Sequence, residues 1–228
     1  KSFFILFAVV FFVAISARSL FAQDLEINIA VEKDNPKLVK ISGKLLKDNV
    51  LRSRNWVFLK SHFGFDDLAK RVKKFDLFDS DGKEISVKKF ADGEFLSEEE
   101  AKSFYYEVDL AVLKNENSMA HVSWIEGSNG LIMLYDLLPQ FGKSKPIARV
   151  VFTVPKRWKI SQNEKFSSDR QYFVKDLDSA VFLIGDQWRS MGTKKDSEAA
   201  SVFALGGWQF SDSEAIAMTE SIVSEYIF

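Results

Sequence analysis

Leu25-Glu26-Ile27-Asn28-Ile29-Ala30-Val31 decides the fold: an apolar side chain stands at every odd position, between Glu26, Asn28 and the small Ala30. Successive side chains of an extended chain point to opposite faces. A period of two therefore reads as a strand with one face in a core and the other in water.

The pattern spreads from there. Val39, Ile41 and Gly43 resume the alternation after a turn at Asp34-Asn35-Pro36, and residues 56–59 form a short apolar run. Residues 72–78 stop at Asp79-Ser80-Asp81-Gly82, where Asp and Ser bond their own backbone and Gly supplies positive φ. With residues 85–90 returning, 72–90 is expected to be a hairpin. Further extended runs cover 104–110, 119–125, 131–138, 172–174, 181–184 and 202–205, and residues 147–154 run up to Pro155. Glu126-Gly127-Ser128-Asn129-Gly130 is a loop between two of them. Many short strands with frequent turns predict a mainly β chain over residues 23–205, an antiparallel β-sandwich or open barrel.

Two stretches carry the capping-box pattern, Ser with Glu three places on. Ser97-Glu98-Glu99-Glu100 leads to only a few residues before the next strand, so one helical turn is expected there. Ser211 with Glu214 opens a C-terminal amphipathic helix in which Ala215, Ile216, Thr219, Ile222, Val223, Tyr226 and Ile227 recur at spacings of three and four. Such a stripe needs something to pack against. Residues 206–228 are therefore expected to begin a following helical or catalytic domain that is missing from this sequence.

At the other end, Lys1 precedes an uncharged apolar run from Phe3 to Ile15, and Arg18 is followed by Ser19-Leu20-Phe21-Ala22. A basic start, an apolar stretch and a small residue before the break describe a signal helix, residues 1–22, cut after Ala22. The run falls short of the roughly 20 residues a bilayer span needs. The protein is thus expected to be exported, periplasmic or secreted, with the membrane involved only in export; a bacterial exporter fits better than a eukaryotic one.

Composition narrows the chemistry. Without Lys1 and Arg18 the 31 basic residues fall to 29 against 32 acidic, a net charge of −3, which gives no general attraction to nucleic acid. The absence of Cys excludes disulfides, thiol nucleophiles and thiolate metal sites. A zinc-peptidase helix would carry two His one turn apart with a Glu to activate water, and neither His62 nor His121 has that neighbour. Gly127-Ser128-Asn129-Gly130 is not a nucleophile elbow. Gly206-Gly207 lacks the Lys and spacing of a phosphate loop and instead lets the chain turn from sheet to helix. Asp66-Asp67, Glu98-Glu99-Glu100 and the Asp176/Asp178 pair read as solvated loops, and the aromatic residues mainly as core. No catalytic, cofactor-binding or metal residue is assigned.

The order of features resembles the N-terminal β-domain of the glycyl aminopeptidase-like zinc metallopeptidases. Phe75-Asp76-Leu77-Phe78-Asp79-Ser80-Asp81-Gly82-Lys83-Glu84-Ile85 is similar to that family's strand, Asp/Gly turn and return strand. Phe104-Tyr105-Tyr106-Glu107-Val108-Asp109-Leu110 looks like its aromatic strand, and residues 147–154 with Pro155-Lys156-Arg157-Trp158 like its segment ending in P-x-x-W. Residues 173–185 look like the stretch that leads to the catalytic part, with Ala180 where the family often has Pro; Trp208 and the helix after it would match the first helix of that part. The resemblance implies a non-catalytic domain that braces a catalytic one and shapes peptide access. Zinc is expected in the missing domain, and the partner is a peptide or protein substrate of the full-length protein. The alternative from the residues alone is a self-contained exported β-sandwich that binds carbohydrate or protein.

Overall fold

The computed structural model describes residues 23–47, 54–112, 121–142, 144–162, 166–168, 170–191, 202–206 and 209–226. The expected signal segment 1–22 lies outside them, as do Met119, Gly207 and Trp208. In chain order the first half holds β1 (Leu25–Ala30), β2 (Leu38–Leu45), β3 (Asn55–Val57), a 3-10 turn (Leu68–Arg71), β4 (Val72–Phe78), β5 (Glu84–Ile85), β6 (Val87–Ala91), β7 (Glu94–Ser97) and β8 (Ser103–Asp109). The second half holds β9 (Trp124–Glu126), β10 (Asn129–Met133), α1 (Leu134–Leu137), β11 (Ala148–Thr153), β12 (Lys159–Gln162), β13 (Phe166–Ser168) and β14 (Gln171–Val174). β15 (Val181–Gly185), β16 (Arg189–Met191), β17 (Val202–Ala204) and α2 (Asp212–Tyr226) complete it.

The chain is mainly β, as the alternation predicts, and among the described residues no sheet closes into a barrel. The largest sheet has eight strands in the order β13-β14-β11-β1-β2-β8-β4-β5. Its pairs are antiparallel except β1 with β11, which run parallel with Ile27 opposite Val150. A four-stranded sheet, β12-β15-β10-β9, and a three-stranded sheet, β3-β7-β6, cover its inner face; β16 and β17 pair separately.

The core forms because the odd residues of β1 and the even residues of β8 all turn inward. Leu25, Ile27, Ile29, Phe104, Tyr106 and Val108 are buried there with Val39, Ile41, Val150 and Phe152. Each such side chain stabilises the fold by about 1.5–3 kcal/mol. Aromatic rings join the layers. Trp56 and Phe58 from the three-stranded side meet Phe104 and Tyr106 edge to face, with centroids 5.5 and 5.0 Å apart. Phe182 of β15 reaches Phe152 at 4.8 Å and Tyr172 at 5.2 Å. The Tyr106 hydroxyl, wholly buried, donates to the Leu137 carbonyl at 3.0 Å.

Three local expectations change. The 72–90 hairpin is cut short: the Asp79–Gly82 turn forms, with Asp79 Oδ1 accepting from the N–H groups of Asp81 and Lys83 at 2.9 Å. Only Glu84 and Ile85 return beside β4, however; after Ser86 the chain crosses to pair with β7 in the three-stranded sheet. No helical turn follows Ser97. It ends β7, and its hydroxyl bonds the Arg54 carbonyl at 3.2 Å instead of capping. The run 131–138 is strand only to Met133 and then turns helical in α1.

The C-terminal capping box forms as read. Ser211 N–H and Oγ donate to Glu214 Oε2 at 2.7 and 2.8 Å, and the Glu214 N–H returns to Ser211 Oγ at 3.3 Å. Arg189 of β16 anchors the start of α2 through a forked contact with Asp212 at 2.9–3.2 Å. Ala215, Ile216 and Thr219 are half-buried, whereas Met218 and Ile222 are 59% and 56% exposed. Among the described residues no helix is long and apolar enough to cross a membrane.

Candidate interaction surface

Its foundation is a buried polar cluster. Arg71, at the end of the 3-10 turn, spends its guanidinium on four oxygens: the carbonyls of Leu68, Ser123 and Asp136, and Asp136 Oδ2 at 2.8 Å. The Asp136 carboxylate, turned inward by α1, also accepts from the Ser123 N–H at 2.8 Å and the Ser123 hydroxyl at 2.6 Å. Ser123 Oγ in turn accepts from the Met133 N–H at 2.8 Å. A buried ion pair is tolerable only when its remaining polar atoms are bonded, which this arrangement achieves. It fastens the 3-10 turn, the entry to β9, and α1 to one another. Ser123 is thereby locked and is no nucleophile.

Above this base lies a small apolar cluster of Phe65, Leu68 and Val122 with Leu59 against it. It supports a tight turn in which His62 and Phe65 exchange backbone hydrogen bonds at 2.9 Å. The two central residues, Phe63 and Gly64, have φ of 46° and 80°. A type I′ turn needs positive φ at both places, and Asn-Gly satisfies it best. A bulky residue there is strained by about 1–3 kcal/mol. Phe63 nonetheless stands there with 63% of its surface in water.

Phe63 brings the chain's two histidines into one patch. Its ring stacks on His121 with centroids 4.2 Å apart, and it meets His62 edge on at 4.5 Å. His62 also lies 5.0 Å from Tyr135. Tyr135 belongs at the same time to a neighbouring cleft of about 220 Å³, which Gln140, Phe141, Lys145, Asp176 and Asp178 also line. Asp176 Oδ1 accepts from the Asp178 N–H at 3.1 Å, fixing that side of the cleft.

Chemically the patch offers aromatic faces, imidazole nitrogens and a few charges for recognition. Among the described residues no group of three or more His, Asp or Glu could hold a metal ion. His62 and His121 face Phe63 between them, so these residues do not fit a zinc centre. Asp66, Asp67, Glu98, Glu99 and Glu100 are exposed, as expected. Gly127 and Ser128 make the tight turn between β9 and β10, with Asn129 and Gly130 already in strand. The sequence could not reveal the His62–Phe63–His121 grouping, because 59 residues separate the histidines and only the tertiary fold joins them. The one local signal was the apolar Phe63 beside Gly64.

Neither a family model nor a curated protein matches the sequence. Among solved structures, an aminopeptidase N family protein from Idiomarina loihiensis shares the fold with a TM-score of 0.67 at 14% identity, over 88% of this chain. This chain spans 35% of that protein's length. An M1 zinc metallopeptidase from Deinococcus radiodurans is similar at a TM-score of 0.47 and 12% identity, over 79% of this chain and 45% of its own.

Proposed function

We propose that this chain is the non-catalytic β-domain of an exported zinc metallopeptidase, an aminopeptidase, and that it braces the catalytic domain and shapes the approach of a peptide. The observation that carries the proposal is the shared fold with the Idiomarina protein, of whose length this chain spans 35%. The signal-like residues 1–22 support export to the periplasm or beyond. Residues 206–228, whose capped helix bears the exposed Met218 and Ile222, would open the catalytic part. The face offered to that part would be the one built on Arg71 and Asp136, where Phe63 and Tyr135 emerge.

Zinc chemistry would belong to residues outside this sequence, since those described here do not fit the metal. The test is to read the coding sequence beyond Phe228 and to assay its product. The proposal expects H-E-x-x-H with a downstream Glu, and zinc-dependent release of N-terminal amino acids by the longer protein but not by residues 23–228. A stop codon close behind Phe228 would sink it.

A further inference from the structure

The outward face of the eight-stranded sheet carries a groove of about 390 Å³ that the peptidase reading does not use. Strand register lays out its floor. One row runs Glu26, Lys44, Ser103, Phe78 across β1, β2, β8 and β4. The next runs Asn28, Ser42, Tyr105. An outward sheet face of this kind is usually a solvated mixture of charges that pair with one another.

Most of these groups are indeed paired. Glu26 is held by Arg149 at 2.5 Å, although Lys44 stands opposite it on the next strand. The Tyr105 hydroxyl donates to Glu107 at 2.7 Å, which fixes its ring, and Asn28 Oδ1 accepts from Thr153 at 3.2 Å. Three groups remain. Among the described residues Lys44 makes no ion pair, and neither the Ser42 nor the Ser103 hydroxyl bonds another protein group. The groove thus combines one unspent cation, two unspent hydroxyls, and the half-buried ring of Phe78.

We infer that this groove binds an acidic saccharide, a sugar ring bearing a carboxylate. The apolar face of the ring lies on Phe78 against the Tyr105 wall. Its hydroxyls exchange hydrogen bonds with Ser42, Ser103 and the Asn28 amide, and its carboxylate pairs with Lys44. A neutral sugar leaves Lys44 unused. Polyglutamate can reach Lys44 but brings no ring face to lay on Phe78. The inference is independent of the peptidase proposal, because every group in it lies on this chain's own sheet.

The test is calorimetric titration of the full chain with trigalacturonic acid, maltotriose and polyglutamate. Trigalacturonic acid is expected to bind, and Lys44→Glu to weaken it by about tenfold or more. The double variant Ser42→Ala/Ser103→Ala is expected to weaken it by about threefold or more. Absence of binding overturns the inference, as does equal affinity for maltotriose or for polyglutamate. Circular dichroism checks the fold of each variant. Should Lys44→Glu fail to fold, the serine double variant decides: unchanged affinity there overturns the inference.

Discussion

Arg71 Nη2 and Asp136 Oδ2 lie 2.8 Å apart across 65 residues of sequence, with side-chain exposures of only 7% and 1%. This pair ties the first half of the chain to the second beneath the aromatic patch. Arg71→Met strands a buried carboxylate and is expected to cost about 3–5 kcal/mol in urea unfolding. Joint replacement, Arg71→Met with Asp136→Leu, should recover much of that loss, because no charge is then left uncompensated. A double variant as unstable as the single one would contradict this account.

Phe63 should be replaceable with profit to stability. Phe63→Asn suits the positive φ of 46° and is expected to raise stability by about 1 kcal/mol, less what the stack on His121 contributes. In a longer protein with peptidase activity, the same variant is expected to loosen association of the two parts. A gain in stability with loss of association would identify Phe63 as a contact retained for recognition.

Gly43 is a packing requirement. A Cβ built there would lie 2.2 Å from the Phe104 ring and 2.8 Å from the Glu26 carbonyl. Both neighbours belong to the central strands, so neither can retreat cheaply. Gly43→Ala is expected to destabilise by about 1–3 kcal/mol, read as a lower urea midpoint. The companion change Phe104→Leu should relieve part of it.

The α2 cap predicts an acid response. The Ser211 N–H, followed by its hydroxyl, holds the Glu214 carboxyl below its ordinary value of 4.5. A carboxyl depressed in the fold contributes stability above its unfolded pKa and loses it as pH falls through the folded one. The start of α2 should therefore loosen as pH drops below about 4.5. Carbon-detected NMR titration of Glu214 checks this, and Ser211→Ala should move its midpoint back up.

Alkali should act through two of the five tyrosines. Burial pushes the Tyr105 hydroxyl well above its ordinary 10.0, helped by its bond to Glu107 and the negative charge of Glu107, Asp76 and Glu32; burial alone raises Tyr106. Above pH 10 the unfolded chain loses these protons and the native chain keeps them, so stability falls as pH rises. Absorbance at the phenolate band should show both groups silent until the protein unfolds.

How much of this was legible follows from what a sequence encodes locally. The alternation at Leu25, Ile27 and Ile29 gave strand and buried face together, because both depend only on neighbours along the chain. The Ser211–Glu214 box was readable for the same reason. Partner choice was not. Ile85 and Val87 carry the same kind of pattern, yet one pairs with Leu77 and the other with Ser97 in a different sheet. Ser97 with Glu100 has the residues of a cap, but its bonds to the Arg54 carbonyl and its strand pairing with Val87 prevail over local preference. The Arg71–Asp136 pair had no sequence signal, since nothing near either residue along the chain announces the other. The aromatic patch was invisible for that reason too.

The placement of β1 has a consequence in time. Its two neighbours are β2, which follows almost at once, and β11, whose approach fixes Asp24 to Ile147 at a separation of 123 residues. Contacts so distant along the chain slow the search for the native state. A ribosome must release the chain as far as Ala148 before Leu25 can be sealed on its second flank, and as far as Val174 before β14 can join, so β1 waits half-zipped to β2 and the largest sheet is completed late.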